Sequence, residues 1–291
     1  MAPQNLPRRT YPSDITDEEW EDYRPFFPEL VGIPGVSEPK TTTRELLNAI
    51  RYMERTGAQY RLLPHDFPPW STVMKHFTRW RDGGYFQEFR EHMAARGRLQ
   101  AGRNQAPTAG AMDSQSMKTM PLTPGTEVGY DGGKKTKGRK RHIFVDILGI
   151  LLAVIVTPAS VQDRDGGARL MHLVAGLIPT VQLAFVDYAY NGEVIAQASR
   201  DTGIATEMTV KPEGQEGFIP VRKRWVVERT FGWMTWSRRL SKDYEKTAAS
   251  SQAWFEIAMG RLLCQRLAGL TPQIREAAGR PGVHEEVAEA G

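Results

Sequence analysis

The chain has 291 residues, 40% hydrophobic and 25% charged, with a formal charge of +4 and a pI of about 9.1. That length allows about two domains and a sizeable core, and the clustering of its basic residues suits a polyanionic partner. Cys264 is the only cysteine, which excludes an internal disulfide, and no 18-residue apolar run or apolar signal core is present, so the reading is a soluble cytoplasmic protein with no membrane partner.

Thr16 opens "TDEEW", a Thr-x-x-Glu capping box with Glu19, and predicts a helix start. "TTTRELLNAIRYMERTG" predicts a second helix, with Leu46, Leu47, Ile50 and Met53 on one face and Gly57 as its stop. "FPPWSTVMKHFTRWRDGG" predicts a third, capped by Ser71 and ended by Gly83 and Gly84. Trp70, Phe77 and Trp80 share one face of it and read as core, whereas Lys75, Arg79 and Arg81 face outward as candidate DNA contacts. Thr72 and Lys75 would face a groove if this is the recognition helix of a helix-turn-helix unit. "YFQEFREHMAARG" predicts a fourth helix. Residues 11–96 therefore read as a small all-α, helix-turn-helix-like domain, and 97–110, short of large apolar residues, as a linker.

The rhythm changes after residue 110. "RHIFVDILGILLAVIVTPAS" predicts a hairpin turning at Leu148 and Gly149. "DRDGGARLMHLVAGLIP" reads as a helix, "VQLAFVDY" as a strand, "NGEVIAQASRDTG" as a helix and "ATEMTVKP" as a strand. A long helix follows from roughly 221 to 239, and "SQAWFEIAMGRLLCQRL" closes the unit with Cys264 as a buried residue. Such alternation predicts an α/β unit over 111–267, a mixed sheet flanked by helices. The Ala-, Gly- and Glu-rich residues 268–291 read as a disordered tail.

Three carboxylates stand out. Asp113 lies in "AMDSQSMK", Asp187 ends an apolar strand and Glu228 sits in the basic stretch "VRKRWVVERTFGWMTWSRR". A carboxylate closing a hydrophobic strand is costly to bury unless it is paired or binds a metal. Mg²⁺ takes oxygen ligands from a few carboxylates, and sites in open α/β sheets lie beyond the carboxyl ends of the strands. Local sequence leaves the bland alternatives open. Asp187 could open a turn before Asn191, Asp113 could be an ordinary polar residue, and Glu228 alone reads better as a surface partner of Arg224 or Arg229. Asp146 reads as a hairpin-turn residue, and Asp163 and Asp165 as helix caps.

Basic side chains supply candidate phosphate contacts. Lys134, Lys135, Lys137, Arg139, Lys140 and Arg141 crowd the lead-in "GGKKTKGRKRHI", while Arg224, Arg229, Arg238 and Arg239 surround Glu228.

Residues 110–267 resemble the RNase H-like catalytic domain of bacterial insertion-sequence transposases of the DDE superfamily. The matching pieces are "MDSQSMK", "GGKKTKGRKRHIFVDILGILLAVIVTPASVQDRDG", "FVDYAYNG" and "RWVVERTFGWMTWSRRLSKDYE". "LLNAIRYMERTGAQYRLLP" and "FPPWSTVMKHFTRW" resemble the helical N-terminal domain of the same proteins. The resemblance implies an RNase H-like mixed sheet with Asp113, Asp187 and Glu228 as catalytic residues holding two Mg²⁺ or Mn²⁺ ions. It implies hydrolysis of the phosphodiester at the element's ends and strand transfer into target DNA. The helical domain would bind the terminal inverted repeats, and the protein would act on double-stranded DNA as a homodimer or larger assembly in the nucleoid. Related elements place a tyrosine and a lysine where this chain has Val221 and Thr235. That departure keeps two alternatives in view: a nuclease without strand transfer, and a non-catalytic DNA-binding protein derived from a transposase.

Overall fold

A computed structural model describes residues 8–30, 41–121, 123–208 and 225–269. Helix α1 (Asp17–Tyr23) starts at the expected capping box, with Thr16 and Glu19 each accepting the other's backbone N–H. Helix α2 (Thr43–Thr56) buries Leu46, Leu47, Ile50 and Met53 and stops at Gly57, whose φ of 75° is a left-handed conformation that glycine adopts at little cost. Helix α3 (Trp70–Asp82) buries Phe77 and Trp80 as expected, but Ser71 does not cap it. Pro69 precedes the first turn, and its carbonyl accepts the N–H groups of Thr72 and Val73. Helix α4 (Tyr85–Gln100) runs through Gly97, so the segment expected as a linker begins as helix. Its last turn is anchored by a buried ion pair from Arg98 to Asp146.

Beyond it come strands β1 (Ala109–Lys118), β2 (Gly129–Asp131), β3 (Thr136–Asp146) and β4 (Leu151–Pro158), then helix α5 (Asp163–Leu177). Strand β5 (Leu183–Val186), helix α6 (Glu193–Thr202), strand β6 (Ala205–Met208) and helices α7 (Trp225–Thr235) and α8 (Ala248–Leu267) complete the order. Strand β2 has no counterpart in the sequence reading. The helix expected to reach 239 ends at Thr235 and gives way to a short 3-10 turn at Arg238–Leu240.

The described residues form one six-stranded sheet. Strands β4, β3 and β1 are antiparallel neighbours, β5 and β6 continue beyond β1 in parallel, and β2 also pairs with β3. This is the RNase H-like mixed sheet that the resemblance implied. Asp146 makes the β3–β4 hairpin as expected: it accepts the N–H groups of Leu148 and Ile150, and Gly149 takes a φ of 76°.

Alternation along the strands gives the sheet two apolar faces. Met112, Phe144, Ala184 and Val186 pack under α5 and α6. Ala111, Ile143, Val145 and Phe185 face the other way, toward α7 and α8. That second core continues without a break into α1–α4. Phe77 stacks on Trp254 of α8 with ring centroids 4.7 Å apart. Three buried ion pairs fasten the helices: Arg51 to Glu19 at 2.8 Å, Arg90 to Glu256 at 2.6 Å and Arg261 to Glu54 at 3.0 Å. The N-terminal helices and the last helix thus bury one common core.

Candidate active site

Strands β1 and β5 run parallel with Ala111 opposite Phe185. Two residues further along stand Asp113, within β1, and Asp187, just past the end of β5, so the β1–β5 register carried on by two residues sets them at the same level. Both share the face of Ala111 and Phe185, which belong to the core covered by α7 and α8. The sequence produces this because β5 is an apolar run that ends at Val186, beside the N-terminal half of β1. Asp187 stays extended (φ −91°, ψ 179°) and opens a 3-10 turn, Tyr188–Tyr190, accepting the Ala189 N–H at 2.9 Å. The turn-opening alternative is thus realised, and it holds one oxygen of a half-buried carboxylate in place. Asp113 accepts the N–H of Ser114 at 2.7 Å.

Glu228 comes from α7, the helix that lies on this same face through Val227, Phe231 and Met234. Asp113, Asp187 and Glu228 thus belong to elements that meet on one face of the sheet. Their donor chemistry, all hard oxygen, suits Mg²⁺ or Mn²⁺. Among the described residues no three His, Cys, Asp or Glu side chains are gathered closely enough to hold an ion. Arg224 and Val221 lie outside the described residues. Thr235 ends α7 and bonds the carbonyl of Gly232.

The basic lead-in divides sharply. Lys134, Lys135 and Lys137 are exposed around the β2–β3 turn, and Lys135 is the only described non-glycine residue with positive φ, 48°. Arg139, Lys140 and Arg141 are not phosphate contacts, a correction to the sequence reading, because β3 runs between two covered faces and each side chain is taken up internally. Arg139 bonds Asp243 and Glu127, both at 3.2 Å, and the carbonyls of Glu245 and Lys246. Arg141 donates to the Leu240 carbonyl at 2.8 Å, and its burial lowers its pKa. Lys140 points to the opposite face, bonding Asp163 at 2.8 Å, Asp131 at 3.2 Å and the Val161 carbonyl at 2.9 Å.

Arg239 is likewise corrected. It is buried, paired with Glu245 at 2.8 Å and stacked on Trp254. Arg229 is half-buried between Trp225 and Trp233 and donates to the Leu148 carbonyl at 2.8 Å. That places it at the hairpin-turn end of the sheet, away from the aspartates. Arg238 is exposed, as are Lys75 and Arg79 on α3.

Asp163 and Asp165, read as caps of α5, both lie inside its first turn. Asp163 does not cap it: Gln162 holds the cap position without a side-chain bond, and Asp163 is the first helical residue. Its carboxylate receives Ser114 Oγ at 2.7 Å and Lys140 Nζ, and those bonds hold its pKa below the usual carboxylate range against the opposing effect of burial. The adjacent glycines of the helix are also functional in shape. A Cβ at Gly166 would fall 2.1 Å from the His142 ring, and one at Gly167 would fall 2.6 Å from the Tyr190 ring. The signal was in the sequence, since two adjacent glycines inside a helix cost about 1 kcal/mol each relative to alanine and imply a close approach. Beside the site, a groove of about 390 Å³ runs between Tyr130, Gly133, Arg164 and Ala189.

Comparison with known proteins bears on the family of this chain. Residues 15–90 match the family described as "Putative transposase of IS4/5 family", and residues 104–263 match the "Transposase DDE domain" family. The chain is 31% identical over 130 residues to "Putative transposase for insertion sequence element IS402" of Burkholderia cepacia, covering 41% of this chain and 60% of that protein. It is 32% identical over 74 residues to "Uncharacterized protein y4sN" of Sinorhizobium fredii, covering 25% of this chain and 58% of that one. The chain thus spans about three-fifths of the length of these curated relatives. Among solved structures, "Crystal structure of the Mos1 Strand Transfer Complex" aligns over 80% of this chain and 79% of its own at 11% identity and a TM-score of 0.23, too slight a likeness to bear on the argument. With the DDE domain family matched over more than half its length, and the IS4/5 family matched over its N-terminal helices, this chain belongs to the IS4/5-type DDE transposases.

Proposed function

We propose that this protein cuts the phosphodiester bonds at the ends of its own insertion element and joins the freed ends to target DNA, using Asp113, Asp187 and Glu228 to hold Mg²⁺ or Mn²⁺. The observation that carries this reading is the matched level of Asp113 and Asp187 on adjacent parallel strands, beyond the carboxyl end of β5, with α7 bringing Glu228 over the same face. A divalent ion there would neutralise charge on the reacting phosphoryl group. The chain's own part is to fix the three carboxylates and hold the DNA, since positioning and charge neutralisation set the rate of phosphoryl transfer.

In this reading the helical region 11–96 recognises the terminal inverted repeats through Lys75 and Arg79, working as part of the common core. Lys134, Lys135, Lys137 and Arg238 contact phosphates nearer the site. Two ends must be held together, so the active species is a homodimer or larger assembly on DNA. None of the described helices is long and apolar enough to cross a membrane.

The test incubates full-length protein with element-end duplex, a circular target and Mg²⁺ or Mn²⁺. End cleavage and joined products are expected. Cleavage without joining reduces the protein to a nuclease, and end binding without cleavage in either metal leaves a DNA-binding protein.

The exposed lysines give a separate expectation. Each phosphate neutralised on duplex DNA steepens the salt dependence of affinity by about 0.9 log unit. Changing Lys135 and Lys137 together to Gln should flatten that slope by about two units and weaken all sequences alike. A salt series on end and random duplexes checks it, and an unchanged slope means the turn does not touch DNA.

A further inference from the structure

Backbone pairing between β1 and β5 stops at Ala111 and Phe185, two residues short of Asp113 and Asp187. Something other than the β-ladder must therefore set the spacing of the two aspartates. We propose that Ser114, Tyr190 and Asp163 form a positioning device that ties both aspartates to helix α5.

Ser114 follows Asp113 and points to the opposite face of the sheet, where its hydroxyl donates to Asp163 Oδ1 at 2.7 Å. Asp163, at the start of α5, is itself held by Lys140, whose ammonium also bonds the Val161 carbonyl and Asp131. Asp131 is fixed in turn by Ser116 Oγ at 2.5 Å and the Lys134 N–H at 3.0 Å. The strand carrying Asp113 is thus fastened to α5 by side chains.

The turn after Asp187 is fastened to the same helix. Tyr190 closes that turn, its N–H bonding the Asp187 carbonyl at 3.2 Å, and its side chain is 2% exposed. The ring lies against Gly167 so closely that a Cβ there would fall 2.6 Å away. Its hydroxyl is buried near the charges of Asp113, Asp163 and Asp187, and burial together with those charges raises its pKa well above the usual phenol value. Both aspartates are therefore tied to α5, Asp113 through the bond of Ser114 to Asp163 and Asp187 through the packing of Tyr190 on Gly167.

This inference rests on the reading of Asp113 and Asp187 as metal ligands, and its test separates the two. Tyr190→Phe keeps the ring against Gly167 and removes only the hydroxyl, and Ser114→Ala removes the hydroxyl that bonds Asp163. Groups that orient metal ligands typically contribute about 10- to 100-fold in metal affinity. Binding of Mn²⁺ to full-length protein is followed by loss of the free-ion electron paramagnetic resonance signal. Affinity for element-end DNA is measured alongside, with Asp187→Asn as reference.

Each variant is expected to weaken Mn²⁺ binding at least about tenfold. End-DNA affinity should stay unchanged. If Tyr190→Phe fails to fold, Ser114→Ala decides alone. Wild-type Mn²⁺ affinity in a folded variant, while Asp187→Asn loses the ion, overturns the positioning device and leaves the site standing. Undiminished Mn²⁺ binding by Asp187→Asn instead overturns the reading of the site.

Discussion

Glu54→Ala is expected to destabilise the protein by about 3–5 kcal/mol, the range for removing one partner of a buried ion pair. Glu54 is fully buried, and its carboxylate receives Arg261 Nε at 3.0 Å and the hydroxyl of Ser237. Removing it leaves the guanidinium of Arg261 buried on α8 without its charge partner. A typical domain is stable by only about 5–15 kcal/mol, so the loss is a large part of the total. Because Glu54 lies on α2 and Arg261 on α8, the damage should spread through the whole molecule rather than melt the N-terminal helices alone. Replacing both partners with apolar residues, Glu54→Leu with Arg261→Met, should recover much of the loss, since no charge is then stranded. Urea unfolding followed by two probes checks this, tryptophan fluorescence and far-ultraviolet circular dichroism. A loss below about 1 kcal/mol, or two separate transitions, would show that the helices fold independently. By the same reasoning a fragment of residues 1–100 should not fold by itself, since Phe77 and Arg90 would lose Trp254 and Glu256.

The second large effect concerns chemistry. Asp113→Asn and Asp187→Asn should each reduce end cleavage by about a hundred- to a thousandfold, the scale of losing one preorganised group that stabilises transition-state charge. Asparagine keeps the shape of the side chain and its acceptor oxygen, so the Ser114 and Ala189 N–H bonds persist. What disappears is the negative charge that draws a divalent ion into the site. Glu228→Gln should behave alike. End-DNA affinity and melting temperature should change little, because Asp113, within β1, and Asp187, just past β5, are half-buried and contribute little to the apolar core. Single-turnover cleavage in Mg²⁺ and in Mn²⁺ provides the measurement. Cleavage within tenfold of wild type by either aspartate variant would remove that residue from the site. Asp146→Ala offers the contrast: it should fail by unfolding, since it strands Arg98 and opens the β3–β4 turn.

Features governed by neighbours in sequence were legible without coordinates. The Thr16–Glu19 capping box, the buried face of α2 and its stop at Gly57, and the hairpin at Leu148 and Gly149 all depend on interactions a few residues apart. The order of strands and helices after residue 110, and with it a mixed sheet flanked by helices, follows from hydrophobic period and breakers, which are also local, whereas its RNase H-like form was implied by the family resemblance. Asp187 announced itself by standing at the end of an apolar run.

Tertiary structure decided the rest, because burial and pairing depend on partners far along the chain. Six cations between 134 and 141 read alike in sequence, yet three are interior. Arg139 finds Asp243 at a distance of 104 residues in the chain, and Lys140 finds Asp163 across the sheet. A buried charge is tolerated only where such a partner is supplied, and no local pattern reveals the partner. The same holds for the N-terminal helices, whose apolar faces were evident but whose cover, α8, is assembled from the last described segment. The level match of Asp113 with Asp187 is a property of strand register, which exists only after β1 and β5 have paired.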